Sequence, residues 1–143
     1  MKPKIFSVSE ANALVPKISH MVKEIMDIHE RIKVITQDVK ELFDIWGEGV
    51  YEHGNPDNKL YNEKLEERTS LFDALKGTIE EIREAGGVVK DLDVGLIDFY
   101  HELDGELVFL CWKYGENEIT TWHSLQEGFS SRKALGIIQA KQE

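Results

Sequence analysis

The chain has 143 residues, 41% of them hydrophobic and 31% charged, and its 27 acidic and 17 basic side chains leave a net charge of −10. That length suits one domain around one core, and an acidic surface disfavours nucleic acid and anionic membranes as partners. One cysteine excludes a disulfide framework and a multi-cysteine zinc site. No apolar run is long enough to span a bilayer, and the opening MKPKIFSVSEAN lacks the apolar stretch of a secretory leader, so a cytoplasmic location is expected.

The first element in the chain is helical. Ser7 followed by Glu10 has the spacing of a capping box, and Phe6 stands where a hydrophobic staple begins. Pro16 lacks an amide donor and predicts a kink or break near Val15. Beyond it Leu14, Ile18, Met21, Ile25, Ile28, Ile32, Ile35, Val39, Leu42 and Trp46 recur at alternating spacings of four and three, the heptad seam of a long helix. GEGVYEHGNPDN is loop-forming. A second helix is predicted over Lys59 to Ala85, with Tyr61, Leu65, Arg68, Phe72, Leu75, Ile79 and Ile82 on its seam and Gly86 and Gly87 at its end. Two such helices joined by a loop form an antiparallel, coiled-coil-like hairpin.

After Gly87 the period drops to two. Strands are predicted at Leu96–Glu102, Leu107–Lys113 and Glu118–His123, joined by a two-residue turn at Asp104-Gly105 and a three-residue turn at Gly115–Asn117. The remainder reads as a loop and a short frayed helix. The expected fold is α+β: one domain over 1–143, with a helical part at 6–85, a three-stranded antiparallel meander at 88–132 and a tail at 133–143.

The two turns set a register. Pairing partners sum to 209 across the first and 232 across the second, so Asp98 opposes Cys111, Cys111 opposes Thr121, and Phe109 opposes His123. Asp98, Cys111 and His123 then share one sheet face, while Trp112 and Trp122 lie on the other with Ile97, Phe99, Val108 and Leu110. A slip of one residue in the second register moves His123 away.

Three readings of that face stay open. Thiolate, imidazole and carboxylate are all competent ligands for a divalent metal such as zinc. Cys111 could instead be a nucleophile with His123 as base and Asp98 as orienter, although no nucleophile signature accompanies it. Or Cys111 is simply a small buried core residue, the commonest fate of a free cysteine. Arg132, just after the sheet, could fold back to pair with Asp98 or hold an anion. Elsewhere His20, Glu24 and Asp27 line an outer helical stripe that reads as a solvated face. GGVVKD lacks the lysine and hydroxyl positions of a phosphate loop.

Taken together, FSVSEANALVP, KDLDVGLIDF, LCW, GE and WHSLQEGFSSR resemble the bacterial domain-of-unknown-function 2203 family over nearly the whole chain, from Phe6 to Arg132. The matching motif positions are Asp98, Cys111, Trp112, Glu116, Trp122, His123, Gly128, Phe129 and Arg132. The resemblance implies no activity, and it directs attention to the patch that the register brings together.

Two functions are therefore expected. The first is a non-enzymatic interaction protein that self-associates into a homo-oligomer, or meets a protein partner, through its helical hairpin. The alternative is a small metal- or ligand-binding protein, with catalysis left open, that uses Asp98, Cys111, His123 and Arg132.

Overall fold

The computed structural model describes residues 2–136. The chain divides into two compact units, Met1–Met26 with Thr78–Glu143, and Asp27–Gly77. Helix α1 runs over Val8–Trp46, a 3-10 turn covers Gly47–Tyr51, and helix α2 covers Asn58–Glu84. Five strands follow: β1 (Gly87–Asp91), β2 (Leu96–Leu103), β3 (Glu106–Lys113), β4 (Thr121–Ser124) and β5 (Lys133–Ala134), hydrogen-bonded in that order into one antiparallel sheet.

The capping box forms as its spacing predicts. The Glu10 amide donates to Ser7 Oγ at 3.0 Å, and the Ser7 amide donates to Glu10 Oε1 at 2.9 Å. The expected break at Pro16 does not occur, and the proline lies exposed inside a continuous helix. An interior proline costs about 3 kcal/mol. Val15, Ile18 and Val22 lie buried on either side of it, and burying side chains of this kind stabilises by about 1.5–3 kcal/mol each. Packing therefore outweighs the lost hydrogen bond.

In the unit Asp27–Gly77, the two helical segments run antiparallel. Arg31 pairs with Glu67 and Asp38 with Lys64, each at 3.0 Å. Ile35, Val39, Val50 and Tyr61 form the core, with Leu42, Leu65 and Leu71 packed against it. The predicted seam of α1 is largely the buried one, but Phe72 on the predicted seam of α2 is half exposed.

In the other unit, one sheet face packs on the flanking ends of the two helices. Ile97, Phe99, Leu110 and Trp112 are fully buried there with Ile18, Ile25 and Ile82. The Phe6 and Phe99 rings meet edge-on at 5.2 Å. Gly95, at φ +74° in the turn before β2, lies close against helix α1: a Cβ there would fall 2.8 Å from Val22 Cγ1.

The expectation of three strands is corrected to five. β1 lies in GGVVKD, where only two apolar residues stand between glycine and charge, too few to show a period. β5 is two residues long and falls in the predicted tail. The part of that tail read as a frayed helix includes 137–143, which lie outside the described residues. Both predicted registers are observed: Asp98 pairs with Cys111, Cys111 with Thr121, and Phe109 with His123. Asp104 and Gly105 both take positive φ, as a tight two-residue hairpin turn requires. The second connection is seven residues, Tyr114 to Thr120, rather than three, yet it preserves the same register.

Candidate functional site

The sheet face opposite the helices carries the site. Asp98 on β2, Cys111 on β3 and His123 on β4 are all buried, at 2%, 1% and 2% exposure. One donor atom from each lies within 4.8 Å of the others. Tetrahedral zinc with bonds of about 2.0–2.3 Å separates its donors by about 3.3–3.7 Å, so contraction by about an ångström would close the set onto an ion. His123 Nε2 and Asp98 Oδ2 are already 3.0 Å apart.

The orientation of the imidazole is fixed from behind. Nδ1 lies 2.8 Å from the Ser124 carbonyl oxygen, and a carbonyl only accepts, so Nδ1–H donates to it. Nε2 is left to face Asp98. One proton lies between them, carried either by the carboxyl group or by the ring, because two lone pairs at 3.0 Å would repel. This arrangement of a ring N–H on a backbone carbonyl with the other nitrogen turned inward is the one that metal-ligating histidines use.

Asp98 Oδ1 is buried and has no hydrogen-bond partner. A bare carboxylate oxygen in a dry site costs free energy unless something satisfies it. Burial raises the Asp98 carboxyl above its ordinary range, while His123, Cys111 and the nearby Lys90 pull it partly back. The Cys111 thiol is pushed up from 9.0 to about 12, first by burial and then by the Asp98 charge. At neutral pH it is a thiol, not a thiolate. A nucleophilic cysteine needs the opposite shift, so the geometry disfavours the Cys–His–Asp nucleophile. A metal ion would displace the proton instead.

The three side chains line a cavity of about 210 Å³, bounded also by Lys90, Leu96, Glu127 and Phe129. Glu127 and Phe129 belong to the segment between β4 and β5, which passes over this face of the sheet. That segment is held by Arg132, whose Nη1 reaches Glu116 Oε1 at 3.2 Å and Oε2 at 3.0 Å and whose guanidinium sits 4.0 Å from the Phe129 ring centroid. Arg132 thus pairs with Glu116, where the sequence suggested Asp98 or an anion. Nothing in a single sequence could choose between these two acids. Glu116 also accepts from the Lys113 amide at 2.8 Å, and its carbonyl accepts from Trp112 Nε1 at 2.9 Å.

Sequence reasoning missed Lys90. The β1–β2 register shifts between Val89 and Asp91, which pair with Ile97 and Leu96. Lys90 is the extra residue of that bulge, and both Lys90 and Asp91 reach the cavity on the side of Asp98. The Lys90 ammonium lies 4.4 Å from the Phe109 ring centroid. No residue-level signal announces a bulge. The outer stripe of His20, Glu24 and Asp27 is no part of the cluster found here, and among the described residues Asp98, Cys111 and His123 form the group with metal-ligand geometry. No helix among these residues is long and apolar enough to cross a membrane.

Comparison with known proteins gives one positive finding. The family described as uncharacterized conserved protein (DUF2203) matches residues 4–135, and the chain belongs to that family. No curated protein and no solved structure matches it.

Proposed function

We propose that this member of the family binds one divalent transition metal, zinc by donor chemistry, through Asp98 Oδ, Cys111 Sγ and His123 Nε2. The observation that carries the reading is the unpartnered Asp98 Oδ1, buried at the convergence of three different ligand side chains. The mixed N, S and O set suits zinc better than magnesium or calcium, which prefer oxygen alone. Three protein ligands beside a cavity leave a fourth position for water or another ligand.

The charges balance. Binding would remove the thiol proton and the proton between Asp98 and His123. The resulting thiolate and carboxylate neutralise the two positive charges of the ion, which lowers the cost of burying it.

Metal content of tag-free protein by elemental mass spectrometry tests the reading, with Cys111→Ala and His123→Ala beside the wild type. The expected result is close to one metal per wild-type chain and loss of at least nine-tenths of it in each variant. Wild-type protein that stays metal-free after incubation with zinc overturns the reading.

A second reading has its own observation. Within the unit Asp27–Gly77, Ile45 and Tyr51 are 70% and 57% exposed, and Phe43, Trp46 and Leu60 are exposed beside them at the loop end of the hairpin. Exposed apolar clusters of this kind mark association surfaces. Self-association through this unit predicts a dimer mass by light scattering, converted to monomer by Ile45→Glu. A wild-type monomer at high concentration removes this reading.

A further inference from the structure

We infer that the segment between β4 and β5, residues 125–132, is a strap that opens as a local unit, with the Arg132–Glu116 pair as its latch, and that this opening admits ions and reagents to the buried Asp98, Cys111 and His123. The part it plays in metal exchange rests on the metal reading; the opening itself does not.

The three side chains are buried, and Asp98 Oδ1 is sealed from solvent. A wall of the adjoining cavity has to move before anything reaches them. The walls are held in different ways. β2 and β3, which carry Asp98 and Cys111, are each hydrogen-bonded to a strand on both sides. The strap supplies Glu127, Gly128 and Phe129 to the same cavity. Its backbone bonds are short-range: Glu127 to Ser124, Ser131 to Gly128 and Arg132 to Phe129. Among the described residues, no backbone hydrogen bond ties 125–132 to any element beyond Ser124, the last residue of β4. Leu125 to Gly128 are also exposed. A segment with little burial and no ladder bonds is the part of a fold that opens first.

Side chains hold the strap down instead. Arg132 Nη1 reaches both Glu116 oxygens, at 3.2 and 3.0 Å, and Thr121 Oγ1 at 3.4 Å. The Phe129 ring lies between the Arg132 guanidinium at 4.0 Å and the Lys113 ammonium at 5.5 Å. Glu127 binds only near neighbours, Ser124 Oγ at 2.9 Å and Lys133 Nζ at 3.4 Å. Glu116 is fixed independently of Arg132, because it accepts from the Lys113 amide and its carbonyl accepts from Trp112 Nε1. When the pair breaks, the strap moves and its anchor stays.

The test labels Cys111 in the metal-free full chain with iodoacetamide at one pH, read by intact mass. Slow labelling reports the population of the open form. Arg132→Met and Glu116→Gln break the latch in two ways, and the glutamine keeps an acceptor for the Lys113 amide. Gly105→Ala, whose methyl meets nothing within 4 Å, is the control for a general loss of stability, with urea unfolding placing all variants on one scale. The expected result is labelling about tenfold faster or more in both latch variants, the factor that goes with losing one charge-assisted hydrogen bond, and a smaller change in Gly105→Ala at equal stability. Unchanged labelling in both latch variants overturns the inference. An equal rise in Gly105→Ala also overturns it, because Cys111 is then reached by global unfolding. A parallel measurement follows zinc released from loaded protein to a chelator, and release should quicken in the same two variants. Unchanged release overturns the role in metal exchange. Wild type that binds no zinc sinks the metal reading, while the labelling result still decides the strap.

Discussion

The reactivity of Cys111 in the metal-free protein follows from its surroundings. Its thiol is pushed from 9.0 to about 12, a rise of three units, so at any pH below 9 the thiolate fraction is on the order of 1,000-fold lower than in the unfolded chain. Alkylation needs the thiolate, and the side chain is also 1% exposed, which slows it further. Iodoacetamide labelling of the metal-free protein, read by intact mass, should therefore proceed on the order of 1,000-fold more slowly in native buffer than in denaturing urea at the same pH. The native rate should climb about tenfold per pH unit through pH 9, where the unfolded chain levels off. The same shift links pH to stability. Because the folded pKa is raised, the contribution is fully present below pH 9 and is lost as pH rises toward 12, at about 1.4 kcal/mol per unit. A native thiol that labels at pH 8 as fast as the unfolded one, with circular dichroism showing the fold intact, refutes this account of the site. It would also restore the nucleophilic reading.

Further outcomes are expected. Zinc binding near neutral pH should release at least the Cys111 thiol proton, so apparent affinity rises about tenfold or more per pH unit; calorimetry in two buffers of different ionisation enthalpy measures the count, and none released contradicts the ligand set. Gly95→Ala places a methyl 2.8 Å from both Val22 Cγ1 and Tyr114 Cβ at φ +74° and should cost about 2–4 kcal/mol in urea unfolding. Gly105→Ala, at φ +81° with nothing within 4 Å, should cost only about 1–2 kcal/mol. Equal losses would show that crowding at Gly95 is not what matters. Arg132→Met removes a part-buried pair with Glu116 and should lower stability by about 1–2 kcal/mol, read as a shifted urea midpoint with unchanged slope.

How much of this was visible in the residues differs from element to element. The heptad seam of α1 was, because Ile18, Ile25, Ile32 and Ile35 point one way and are buried. The Asp104-Gly105 hairpin was, because only residues tolerant of positive φ can close it, and the pairing of Asp98 with Cys111 then follows by counting. Pro16 misled, since local backbone chemistry argues for a break that tertiary burial overrides. Phe72 misled in the other direction: periodicity places it on a seam, but burial depends on what stands opposite. The partner of Arg132 and the position of Lys90 were not legible. One depends on which of several acids the fold brings near, the other on a bulge that shifts pairing without marking the sequence.

The long connection between β3 and β4 has a consequence for insertions and deletions. Lengthening a surface loop by a residue or two is ordinarily cheap. Here both ends are tied: the Lys113 amide to Glu116 Oε1 at 2.8 Å, and the Ile119 amide to Asn12 Oδ1, on the first helix, at 2.6 Å. Ile119 is itself buried. Because strand faces alternate, a change of one residue between Ile119 and His123 would exchange the faces of His123 and Trp122. A change confined to Asn117–Glu118, between the Glu116 and Asn12 ties, would leave β4 in place. The connection therefore has a tolerant stretch and an intolerant one a few residues apart, and Asn12, more than a hundred residues upstream in the chain, marks the boundary between them.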